Sequence, residues 1–320
     1  MNISELFGLK IRGHKDIEFI DIDEQNDTKL FLDPYVIQAL QNDFCKKARE
    51  SIDSFFTEIF RACKARDKIR LRMLCSYSAE PNETNLGMKL ISNYGKGATA
   101  NSLTPLFLNF YKLVRQNPYI ETDPLALCIY IRNFAEDKMS DLITNIMRNL
   151  LHEFTVEQSR LWGLPLHSVE RFLGYYWDCE TLSWRKLYGR PFLVSQKNIL
   201  LVPKSIVRTH YVFNVDRYIR QYVLATLQEE HLRENSDLCS VKVRADGRRA
   251  LVPPTKKELY ERVVRGTVPK DFAFTYSVEN KAEEERFIKE LHKKINEGFG
   301  ALTNARLDSL VYSKNSLESA

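Results

Sequence analysis

Apolar residues recur most regularly between Ala135 and Phe154, where Met139, Leu142, Ile143, Ile146, Met147, Leu150, Leu151 and Phe154 follow at offsets of three and four. That spacing places all eight on one face of an α-helix, and such a face has to be buried. At about 100° per residue, Asp141, Asn145, Arg148 and His152 form a narrow stripe opposite it, with Glu136, Asp137 and Lys138 at the entrance. Two readings stay open: a core helix with a solvated polar face, or the wall of a polar cleft.

The chain on either side supplies further elements. Residues 17–23 (IEFIDID) alternate as a half-exposed strand with the acids on its outer face. Asp33 can cap and Pro34 can open a helix running to about Arg66, with Phe44, Ala48, Ile52, Phe55, Phe56, Ile59, Phe60 and Cys63 as its core stripe. IRLRMLC (69–75) alternates as a strand, and a helix over 104–116 packs through Leu106, Phe107, Phe110 and Leu113. The run LALCIYI (125–131) reads as a buried strand. Gly163 and Pro165 mark a break, so a helix-rich domain over 1–165 and an α+β domain over 166–320 are expected, a division that leaves a single unit open. Residues 172–195 are dense in aromatics and read as a strand pair around Asp178 to Thr181, followed by a buried strand over 198–203 and an amphipathic helix over 215–232. Three further helices start near Thr255, Pro269 and Glu279, and residues 300–320 read as frayed. The fold class is α+β: a helix-rich mixed fold with short strands and at least one β-hairpin.

Composition narrows the class without choosing an activity. At 44% hydrophobic and 28% charged residues, the 320-residue chain is that of an ordinary globular protein. No apolar run is long enough to span a bilayer, and the N-terminus carries no secretory pattern, so a cytoplasmic protein without membrane association is expected. Six scattered cysteines form no C-x-x-C pair and fit reduced, mostly buried thiols. A net charge of +5 does not by itself argue for a nucleic-acid partner; only its distribution could.

Nucleophile triads, H-E-x-x-H and G-x-G-x-x-G patterns are absent, and GKG at 95–97 lacks the spacing of a phosphate loop. The enzyme reading rests on an order: Asp123, the run LALCIYI, then Glu136-Asp137-Lys138. Metal-dependent nucleases use an acid, a strand and an acid-x-Lys triplet in this order, with two carboxylates holding the cation and the lysine beside the scissile phosphate. Here Asp123 and Glu136 would hold Mg2+, Lys138 would assist, and Asp137 or Asp141 would be a further ligand. Acid-x-Lys occurs three times in the chain, and only this instance follows a predicted buried strand. Carboxylates at a helix start are equally what the helix dipole selects.

Charge is most asymmetric in residues 240–257, where Lys242, Arg244, Arg248, Arg249, Lys256 and Lys257 face the single acid Asp246. Asp246-Gly247 between VKVR and RRALV predicts a two-residue hairpin that gathers Lys242, Arg244, Arg248 and Arg249. A basic β-ribbon suits nucleic-acid phosphates, DNA foremost. It equally suits an edge hairpin kept from aggregating by charge, or the docking of an acidic protein.

LFLDPYVI, EPNETNLG followed by GKG, EDKMSDLITNIMRNLL, ILLVPKSIV, and PTKKELYERVV with a later YSVEN occur in an order that resembles bacterial restriction-endonuclease-like and phage-defence proteins, over about residues 30–280. In that group the region leads into a PD-(D/E)XK nuclease core. This chain departs from the plan, since one helix and ALTNARLDSLVYSKNSLESA follow Glu279. The resemblance therefore implies a recognition or regulatory component that acts with a nuclease partner in defence, or chemistry placed elsewhere in the chain.

Overall fold

The structure is a computed structural model that describes residues 1–87, 99–115, 127–243, 245 and 247–312, with backbone alone over 281–286. It is a helix-rich α+β fold whose strands pair two by two in antiparallel order. Contacts divide it into unit 1 (Met1–Leu113, Phe134–Val212 and Leu291–Ala320) and unit 2 (Val114–Asn133 and Phe213–Glu290). Residues 160–168, where the sequence breaks, lie within unit 1.

Unit 1 opens with α1 (Ile3–Leu6), β1 (Phe31–Leu32) and α2 (Pro34–Ala39). Asp33 caps α2, its carboxylate accepting from the amides of Tyr35 and Val36. The helix predicted from Pro34 to Arg66 is interrupted at 40–42, because Leu40 turns extended and Asn42 caps a new helix, α3 (Asp43–Ala65). Arg49 of α3 donates to the carbonyls of Gln38 and Leu40, so the groups freed at the break are satisfied. α3 is the core helix, burying Cys45, Ala48, Ile52, Phe55, Phe56, Ile59 and Cys63.

Residues 69–75 form no strand but α4 (Lys68–Leu74). Asp67 caps it by accepting from the Arg70 amide, and Leu71 and Leu74, three apart, are the buried pair. The segment 17–23 makes only isolated bridges, and Asp21 is fully buried rather than outward-facing. Its carboxylate accepts from the Ser4 amide and hydroxyl and from the Tyr312 hydroxyl. That last bond belongs to α14 (Asn304–Tyr312), a docked helix where frayed chain was expected, with Leu307 and Val311 buried and Asp308 against the buried His14.

α5 (Ala100–Val114) buries Leu103, Phe107, Phe110 and Val114, a face offset from the predicted one. In unit 2 the run predicted as a strand at 125–131 instead contains α6 (Leu127–Tyr130), all four residues buried. A short run that is apolar throughout has no period to separate strand from buried helix. The Lys270 ammonium settles this one locally by taking the carbonyls of Cys128 and Ile131.

Unit 1 continues with α7 (Glu136–Ile146), α8 (Arg148–Trp162), the hairpin β2 (Arg171–Asp178) and β3 (Ser183–Gly189), a second hairpin β4 (Phe192–Val194) and β5 (Lys197–Ile199), and β6 (Val207–Arg208), which pairs with β1. Unit 2 holds α9 (Val215–Arg217), a π-turn over Tyr218–Val223, α10 (Leu224–Glu234), the ribbon β7 (Ser240–Val243) and β8 (Arg249–Val252), α11 (Lys256–Leu259) and α12 (Pro269–Glu279). α13 (Lys281–Asn296) follows. All six cysteines are free thiols, four of them buried. No helix among the described residues is long and apolar enough to cross a membrane.

Candidate functional site

The apolar arc predicted for 135–154 is buried from Met139 to Leu151, and the helix breaks once, at Met147, between α7 and α8. The polar stripe opposite it is covered rather than solvated. Asn145 and Arg148 are buried, and Asp141 and His152 are largely so. Asn145 donates to the Ala79 carbonyl at 2.7 Å. Arg148 donates to Glu83 Oε1 at 2.7 Å, to Asn145 Oδ1 at 2.6 Å and to the Leu173 carbonyl at 3.3 Å. A buried guanidinium needs this many acceptors, because its desolvation is otherwise uncompensated.

The cover is the hairpin β2–β3, and two glycines let it approach. A Cβ on Gly174, whose φ is +109°, would stand 3.0 Å from Arg148 Nε. A Cβ on Gly189 would stand 2.3 Å from His152 Nε2. Burial lowers the His152 pKa, so the imidazole meets the strand neutral at pH 7. Glycine inside a strand signals such an approach or a bulge, and the β2 register does shift between Phe172 and Tyr175.

The other face of this hairpin runs from core to solvent. Register pairs Trp177 with Trp184, Tyr175 with Lys186 and Phe172 with Tyr188, so these six residues share a face. At the turn end both indoles pack edge-on against Phe55 of α3; Trp177 donates to Ser54 Oγ and Trp184 to the Leu74 carbonyl. Toward the open end, Tyr175 stacks on Tyr77 at 3.8 Å between centroids, then meets Phe172 at 5.3 Å, which in turn meets Tyr188 at 5.8 Å. Phe172 and Tyr188 are 49% and 58% exposed. The sequence predicted the strand pair and its aromatic density; Glu83, Gly174, Gly189 and this aromatic row as site residues it did not single out.

Glu136, at the start of α7, has protein partners. Glu136 Oε1 accepts from the Tyr211 amide at 3.0 Å, and Oε2 lies 3.3 Å from His210 Nδ1. Asp141 is pushed up to about 7 by burial and then by the neighbouring Glu80 and Asp137. Glu80 is raised by burial and by Asp27 and Asp137. Asp137 is exposed and Lys138 half-buried on the same turn. Asp123 and GKG at 95–97 lie outside the described residues. Among the described residues no three His, Cys, Asp or Glu side chains are grouped to hold a metal ion, and the predicted strand before Glu136 contains the helix α6.

The basic ribbon β7–β8 is present in unit 2 with a register unlike the predicted one. Val243 pairs with Arg249 and Lys242 with Ala250, which centres the hairpin on residue 246 instead of between 246 and 247. A one-residue slip moves every side chain of a strand to the other face. Lys242 and Arg249 consequently lie on opposite faces, and Val241, Val243 and Leu251 share the face of Arg249. An odd loop with Gly247 left-handed at φ +77° fits this register better than a two-residue turn. All of β7 is exposed, as are Arg248, Arg249 and Lys257; Arg244 lies outside the described residues. Lys256, also exposed, donates to the Arg220 carbonyl at 2.9 Å.

No curated protein and no solved structure matches the chain. Residues 8–214, well over half of the chain and including the polar row and the aromatic hairpin but not the basic ribbon, match a family model described as "Domain of unknown function (DUF8370)", and the chain belongs to that family.

Proposed function

We propose that this protein binds nucleic acid, DNA in the first instance, and that the ribbon β7–β8 is its phosphate contact. The observation that carries the reading is a ribbon that keeps β7 wholly in water while bearing Lys242, Arg248 and Arg249, with Lys257 beyond it. Exposed cations on a two-stranded ribbon are placed to displace counterions from a phosphate backbone. The resemblance to restriction-like and phage-defence proteins supports a recognition role beside a nuclease partner, in the cytoplasm of a bacterium.

The test measures affinity for duplex DNA against salt, with magnesium present and absent and with cleavage followed in parallel. Arg248→Ala/Arg249→Ala is expected to weaken binding similarly for all sequences and to lower the slope of log affinity against log salt by about two. An unchanged slope removes the ribbon from the interface. Magnesium-dependent cleavage by the wild type that is lost in Glu136→Ala would return the chemistry to the start of α7.

A further inference from the structure

One row of rings in unit 1 is built like core at one end and left in water at the other. Trp177 is buried against α3, whereas Tyr77, Phe172 and Tyr188 are 36%, 49% and 58% exposed along the same connected row. Large aromatic side chains gain most from burial, so a contiguous exposed row marks a surface that is completed by something else. The hairpin under it is fixed: Arg148 and His152 abut its glycines on one face, and two indole hydrogen bonds hold the other. The row is therefore presented in one geometry.

Charge identifies the occupant. Lys186 stands directly across from Tyr175 on the ring-bearing face, and Arg190 lies at the open end with Glu170; Arg171, paired with Gly189, is on the opposite face and reaches His167 at 2.9 Å. The acid Asp178 lies at the opposite end, beside Arg185 at 3.5 Å. The centres of protein–protein interfaces are depleted in lysine, while rings interleaved with lysine and arginine are what unpaired bases and their phosphates require. Stacking needs the flat face of a base, which a duplex hides between its neighbours.

We propose that Phe172, Tyr175 and Tyr188, with Tyr77 behind them, form a base-stacking platform for single-stranded nucleic acid, with Lys186 and Arg190 as its phosphate contacts. The platform uses none of the residues of β7–β8 and stands whether or not the ribbon binds DNA. Two or three unpaired bases lie on the exposed rings without regard to sequence, since every base has a face to stack.

The experiment uses the full chain and fluorescence anisotropy with a labelled single-stranded oligonucleotide, an abasic strand of the same length and charge, and the matching duplex. Wild type is expected to bind the base-bearing strand about tenfold or more tighter than the abasic one. Phe172→Leu keeps an apolar side chain but no ring, and Tyr188→Ser alters an exposed position; each is expected to weaken the base-bearing strand about fivefold or more and leave the abasic strand unchanged. Arg248→Ala/Arg249→Ala is expected to keep the preference for bases, which separates this platform from the ribbon. Equal affinity for base-bearing and abasic strands overturns the proposal. So does unchanged binding in both ring variants at an unchanged Tm, and so does a wild type that binds neither strand, which would leave the row to a protein partner.

Discussion

The two hairpins β2–β3 and β7–β8 are made of similar material and end in different states. Both are two-stranded, antiparallel and basic, and among the described residues neither is extended by a third strand. The first is gripped on both faces, by Phe55, Ser54 and the Leu74 carbonyl on one side and by Arg148 and His152 on the other. The second exposes all of β7 and alternate residues of β8. A two-stranded hairpin is marginal in water by itself, so tertiary seating, not strand propensity, makes one a rigid platform and leaves the other an arm. The seated hairpin lies inside the family match and the arm outside it.

Removing the seat should have the largest effect. Arg148→Ala takes away the partner of Glu83, Asn145 and the Leu173 carbonyl at once. Breaking a buried ion pair from one side typically costs 3–5 kcal/mol, and with Glu83 about a quarter exposed the loss here should be about 3 kcal/mol. Denaturant unfolding measures it. A loss below about 1 kcal/mol would mean that the hairpin is held by its tryptophans alone.

Asp141 offers a smaller effect of opposite sign. Its carboxyl ionises near 3.8 in the unfolded chain and at about 7 in the folded protein, because burial and two neighbouring acids disfavour the charge. Between those values the folded state holds a proton that the unfolded state releases, so stability falls as pH rises from about 4 to about 7 and stays reduced above. Asp141→Asn carries no such charge. It should stabilise the protein by about 1–2 kcal/mol at pH 8 and by much less at pH 4. A gain that is equal at both pH values would show that Asp141 does not titrate as its surroundings demand.

What the sequence made legible follows the same division. The arc from Met139 to Leu151 was readable because a helical period repeated over several turns has one solution. The stripe of Asp141, Asn145, Arg148 and His152 was readable as a group, but not its burial: periodicity says which residues share a face and is silent on what covers it. Gly174 and Gly189, set in strands, were the local signal that something approaches closely. IRLRMLC failed because Ile69, Leu71, Met73 and Cys75 alternate as in a strand while Leu71 and Leu74, three apart, equally fit a helix, and the Asp67 cap decided it. LALCIYI failed because it has no period at all. At β7–β8 the Asp-Gly pair predicted the hairpin and missed its register by one residue, which was enough to part Lys242 from Arg249.

The smallest expected effect is the sharpest check on the comparison. Val243, 67% exposed on the ribbon, shares a face with Val241 and Leu251. Threonine keeps the branched shape that strands favour while adding a hydroxyl that water can satisfy. Val243→Thr should therefore change stability by less than ~0.5 kcal/mol and leave Tm within ~2 °C of wild type in a thermal melt. Trp184 belongs to the seated hairpin, and no exposed-site argument applies to it. If Val243→Thr lowers Tm by more than ~5 °C, the ribbon is packed against a surface in the free protein. Its cations would then be serving that packing, and the phosphate-contact reading of β7–β8 would lose its basis.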